Sequence, residues 1–198
     1  MKMKQLRSVI LILFVLAFAA CNISKEPAEK TIKSAEGVFN AIKGEAMKYA
    51  TVETREVEKA ILAAKDKYDR NEYDTAFKLA TGLPDKVNQL ATLSATRKAE
   101  WVKGWESASK ELPPMLDALQ ARIEELSKRK KLPPGMDKAK IEEARAAQSA
   151  IAQAWTEAKD TYAAGNLIDA VTKAKTAREK AVEAMTALGM QVQEVSIN

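Results

Sequence analysis

From Ile141 to Leu188 the chain reads IEEARAAQSAIAQAWTEAKDTYAAGNLIDAVTKAKTAREKAVEAMTAL. One seam runs Ile141, Ala144, Gln148, Ile151, Trp155, Ala158 and Tyr162, and a second runs Leu167, Ala170, Ala174, Ala177, Ala181, Ala184 and Leu188. Steps of three and four place each set along one face of an α-helix, the face that packs against a neighbour. Gly165-Asn166 separates the two seams with the residues that end helices and turn chains. So short a connection makes the two helices antiparallel neighbours.

The same spacing extends toward the N-terminus. Ile32, Ala35, Phe39, Ile42, Ala46 and Tyr49 form one series, Val57, Ile61, Ala64 and Tyr68 another, and Leu116, Leu119, Ile123 and Leu126 a third. No stretch sustains the period-two alternation of a half-buried strand. Breaks are expected at Asp69-Arg70-Asn71, at Leu112-Pro113-Pro114 and at Leu132-Pro133-Pro134-Gly135, with Gly82-Leu83-Pro84 either a break or a kink. The expectation is an all-α fold of about six antiparallel helices, forming an elongated helical bundle or two related helical hairpins. Ala64-Lys65-Asp66-Lys67-Tyr68 with Tyr73, Ala76 and Ala80 aligns with Ala158-Lys159-Asp160-Thr161-Tyr162 with Leu167, Ala170 and Ala174 at a constant offset of 94. The organisation read from this is residues 27–112 as a first hairpin region, 113–188 as a second, and 189–198 as a tail. The Tyr/Ala pattern is similar to part of a tetratricopeptide repeat, but those recur near 34 residues, so two related hairpins are expected and not a tandem solenoid.

Met1 to Ala20, MKMKQLRSVILILFVLAFAA, has a basic start, the apolar run Val9 to Ala20, and small residues before Cys21. That layout is a secretory signal peptide, 1–20, and its apolar run is short of the roughly 20 residues a spanning helix needs. Phe18-Ala19-Ala20-Cys21 resembles the lipobox of bacterial lipoproteins, with Phe18 where Leu is most common. The resemblance implies cleavage before Cys21, diacylglycerol on its sulfur and an acyl chain on its new amine. Residues 21–26 then serve as lipidated cysteine and tether, and Pro27 suits a first helical turn. The alternative is an ordinary cut after Ala17-Phe18-Ala19, leaving Cys21 a free thiol; the lipobox is preferred because the chain's only cysteine stands at the signal's end. In lipoproteins of enteric bacteria a residue other than Asp after the cysteine, here Asn22, implies the outer membrane. Roughly Ala41 to Ala80, with a Lys48-Tyr49-Ala50-Thr51-Val52-Glu53 corner and Ala60, Ala64, Tyr68, Tyr73, Ala76 and Ala80, also resembles a group of uncharacterised bacterial envelope lipoproteins. Some of these place such a hairpin before an OmpA-like domain that grips peptidoglycan; no such domain is present here, so that activity is not carried over.

The formal charge of +5 includes Lys2, Lys4 and Arg7, so 29 basic against 27 acidic residues leave +2 after residue 20. A near-balanced chain has no overall electrostatic footprint for nucleic acid, and none is expected as a partner. One cysteine permits no internal disulfide. With no histidine, one cysteine committed to lipid and no glycine-rich phosphate loop, the sequence offers no catalytic residue, metal site or cofactor site, and an enzyme is not expected. Glu124-Glu125 and Glu142-Glu143 are adjacent pairs that diverge by about 100° on a helix, as on a solvated face. Lys128-Arg129-Lys130-Lys131 is read as a solvated helix end complementing the dipole, with anionic headgroups as the other reading.

Trp101 and Trp105 are four apart and share a face, with Trp155 on a separate seam. They are candidate partner-binding residues, since Trp is enriched at binding hot spots. Core filling in an alanine-rich bundle is the preferred reading, with Leu90, Leu93, Ala108 and Leu112 continuing the same apolar stripe. The functional expectation is a non-catalytic spacer, adaptor or interaction module held to the membrane through Cys21 and engaging an unidentified envelope protein. The alternative is a carrier or binding protein for an apolar small molecule or lipid, with a cavity between its helices.

Overall fold

The computed structural model describes residues 24–191, and within them every regular element is a helix. There are six: α1 (Lys25–Tyr49), α2 (Thr51–Asp69), α3 (Tyr73–Thr81), α4 (Leu83–Lys128), α5 (Lys138–Ala163) and α6 (Leu167–Ala187). The fold is all-α, as the spacing predicts. The expected signal peptide, 1–20, and Cys21 lie outside the described residues. Among the described residues no helix is long and apolar enough to cross a membrane.

The chain divides into two units, up to Lys98 and from Ala99 onward. In the first, α1 packs on α2 and α3, and α2 on α3, with the start of α4 contributing Leu83, Val87 and Leu90 to the same core as Ile32, Phe39 and Ile61. In the second, α5 packs on α6, and the later part of α4 supplies Ala108, Leu112, Leu119, Ile123 and Leu126 to their core. Both are helical bundles on alanine-rich seams.

The offset of 94 holds at atomic detail. Asn71 (φ 62°) and Gly165 (φ 83°) both take the left-handed conformation just past a helix end. At the first, the Asn71 and Glu72 amides donate to the Tyr68 and Lys67 carbonyls; at the second, the Gly165 and Asn166 amides donate to those of Tyr162 and Thr161. Each is a Schellman cap, which satisfies carbonyls a helix end would leave bare. Gly189 (φ 69°) closes α6 in the same way, with the Met190 amide on the Met185 carbonyl at 3.0 Å. Behind the first two caps, Ala64 and Ala158, Ala76 and Ala170, and Ala80 and Ala174 are all fully buried.

Three expectations need correction. Leu112-Pro113-Pro114 does not break the chain: α4 runs through it. Prolines 113 and 114 withhold two donors from the Ser109 and Lys110 carbonyls, but both rings are exposed, and water reaches that face. Ala108 and Leu112 on one side and Leu119 and Ile123 on the other lie in one core, which holds the helix in register across the prolines. For the same reason the two units part between Lys98 and Ala99 and not at Leu112–Pro113. Third, helix begins at Lys25, so part of the expected tether 21–26 is helical; Pro27 sits in the first turn, where its missing N–H costs nothing. Gly82 is a one-residue interruption between α3 and α4.

Candidate interaction surface

Trp105 reaches across from α4 to meet two rings of α5. Trp155 and Tyr162 are seven residues apart, two helical turns, and so lie on one face of α5. Trp105 lies 5.3 Å from Trp155 with the rings inclined by 30°, and 4.2 Å from Tyr162 with the rings nearly parallel at 6°. Such pairs contribute about 0.5–1.5 kcal/mol beyond the area they bury. Trp155 is buried, Trp105 is half-buried against the core of its unit, and Tyr162 is 43% exposed, so the aromatic row passes from interior to solvent. Lys159 holds its ammonium 5.8 Å from the Trp155 ring centre. Beside Trp105, a Cβ on Gly104 would stand 3.1 Å from Val171 Cγ1, so glycine lets α4 come close to α6 here.

Trp101 is half-buried and belongs to neither core. The expected single stripe along α4 is divided: Leu90 and Leu93 pack in the first unit, Ala108 and Leu112 in the second. The union of Trp105 with Trp155 and Tyr162 was not legible from seam spacing, which set Trp155 apart. The signal available was the seven-residue interval between two large aromatics on α5.

At the position equivalent to Tyr162, the first unit builds something different. Tyr68 meets Tyr73 edge-on at 5.2 Å and donates its hydroxyl to Glu29 at 2.9 Å, while Lys33 donates to the same carboxylate at 2.6 Å. The hydrogen bond it donates to Glu29, with partial burial, pushes the Tyr68 phenol up to about 12, and Lys33 and Tyr68 hold the Glu29 carboxyl below its usual range. Tyr68 is therefore a fixed donor at any neutral pH. An open cleft of about 160 Å³ borders this group, and a second of about 290 Å³ lies among Glu53, Glu56, Val57, Lys86, Gln89, Leu90 and Leu93. Both open to solvent and have charged rims.

Ion pairs tie the helices within each unit. Arg97 grips both Glu53 oxygens at 2.7 and 3.1 Å and donates to the Tyr49 carbonyl at 3.2 Å, across the α1–α2 corner. This holds the Glu53 carboxyl below its usual range. In the second unit, Arg178 of α6 donates to Glu111 of α4 at 2.6 Å. Burial pushes the Glu111 carboxyl up, but the Ser107 hydroxyl and Arg178 outweigh it and leave it lowered. No family model, curated protein or solved structure matches this chain.

Proposed function

We propose that the mature chain is a lipid-anchored helical module of the bacterial envelope, tethered through Cys21 to a membrane, the outer one by the Asn22 signal. It catalyses nothing and serves as a spacer or adaptor for another envelope protein. The observation that carries the adaptor reading is the aromatic row of the second unit. Trp155 braces Trp105, Trp105 stacks on Tyr162, and Tyr162 is left 43% exposed, a partly open aromatic of the kind enriched at recognition sites. The carrier alternative needs an enclosed apolar cavity. The charged, open clefts of the first unit lend it little support.

The tether is tested by Cys21→Ser, which should abolish acyl labelling and leave the precursor uncleaved; unchanged labelling and processing refute it. The adaptor role is tested by a photo-crosslinking residue at Tyr162 in intact cells, with exposed Gln153 as control. A discrete protein adduct at 162 alone is expected. An apolar molecule recovered with the purified protein in equal amount, and no adduct at 162, would establish the carrier instead.

A further inference from the structure

The turn joining α4 to α5 carries charge that neither core uses. From Lys128 to Lys140 it reads KRKKLPPGMDKAK, six basic residues and one acidic, a net +5. The chain after residue 20 is only +2, so everything outside this segment sums to −3.

The turn is held in place. Leu132 and Met136 pack against the core of the second unit, the Met136 amide donates to the Pro133 carbonyl at 3.1 Å, and Gly135 (φ 80°) makes the reversal. With the apolar residues turned inward, the basic side chains are left outside. Arg129 pairs with Glu125, Lys128 stands 3.9 Å from Glu124, and Lys140 donates to the Gly135 carbonyl at 2.6 Å. Asp137, the one acid, accepts from the Lys140 amide as the cap of α5. Lys130, Lys131 and Lys138 are exposed and have no carboxylate partner among the described residues.

We propose that this turn docks on an array of anionic lipid headgroups. Diffuse negative charge is what unpaired lysines on a fixed turn complement, since each is a point charge without the planar fork that reads a single phosphate. Nucleic acid is the weaker fit: residues 128–140 contain no aromatic ring on which a base could stack. The proposed tether explains how the turn meets lipid, but the binding chemistry does not depend on it.

The test uses the whole chain from residue 21 with Cys21→Ser, which leaves every described residue in place, sedimented with vesicles of phosphatidylcholine alone or with about a third phosphatidylglycerol. Binding to the anionic vesicles only, weakening steeply with salt, is expected. A lysine near such a surface strengthens binding by about fivefold, so the triple variant Lys130→Gln, Lys131→Gln, Lys138→Gln should lose on the order of a hundredfold with unchanged helicity. Binding equal on both vesicle types, or a triple variant that binds as the parent does, overturns the proposal. So does a preference for single-stranded DNA or polyglutamate over vesicles at equal charge. Normal acylation at Cys21 with no vesicle binding refutes this inference alone, and vesicle binding without acylation refutes the tether alone.

Discussion

Replacing Gly165 with Ala isolates a backbone effect that has the opposite sign to the same change at Gly37. Gly165 holds φ 83°, and a Cβ built there meets nothing within 4 Å. The cost is therefore conformational. A non-glycine residue in the left-handed region costs about 1–2 kcal/mol, and the stiffer unfolded chain of alanine offsets about 0.4–1 kcal/mol of that. The expected net loss is roughly 1 kcal/mol. Gly37 lies inside α1 with ordinary helical backbone and equally open surroundings, so Gly37→Ala should stabilise by about 0.5–1 kcal/mol. In a chain of this length, 1 kcal/mol moves Tm by roughly 2–4 °C. Thermal and urea unfolding followed by far-ultraviolet circular dichroism should show Gly165→Ala melting lower than the parent and Gly37→Ala higher. Two shifts of the same sign would refute the left-handed cap and the turn built on it. Asn71→Ala, at the equivalent cap, should follow Gly165→Ala in sign.

The tryptophans should rank by burial: Trp155→Ala should cost about 3–5 kcal/mol, Trp105→Ala less, and Trp101→Ala least, in denaturant unfolding of each variant. Equal losses at all three would contradict the graded aromatic row. Glu111→Gln should cost roughly 1–2 kcal/mol at neutral pH. Because the folded carboxyl titrates below its ordinary 4.5, that contribution is full above 4.5 and fades as pH falls through the folded value, so parent and variant should converge in acid; a gap independent of pH would deny the Arg178 pairing. Ser94 is buried with its hydroxyl unbonded, so Ser94→Ala should be neutral or stabilising by up to about 1 kcal/mol, and a loss measured by urea titration would mean that the hydroxyl has a partner.

Helix class and pairing were legible because alternating steps of three and four leave little room for another fold, and Gly165 and Asn71 mark their caps by residue type. What escaped sequence reading depended on contacts distant in the chain. Pro113-Pro114 argues for a break in any local reading, and only the common core of Leu112 and Leu119 overrides it. The start at Lys25 escaped because Ser24 spends its hydroxyl on Asp74 of α3 and makes no side-chain bond to the helix it precedes. Trp105 could be given a face from its spacing with Trp101, but its partners Trp155 and Tyr162 are set by how α4 meets α5. The basic turn was visible as a run of lysines; its second half, Lys138 and Lys140, joins it only through the reversal at Gly135.

The paired seam alanines govern what this chain can become. At positions 64, 76 and 80, and again at 158, 170 and 174, no side-chain atom touches solvent. A single added methyl group there must either push two backbones apart or be answered by a shrinking neighbour. Drift is thereby steered to the outer faces, where almost any polar residue serves. Two lineages descended from such a bundle would retain alanine, the least distinctive of residues, and shed nearly everything else. Ancestry in this architecture is written in where the small residues fall and how the helix ends close, and a search for it is best made by the interval between caps.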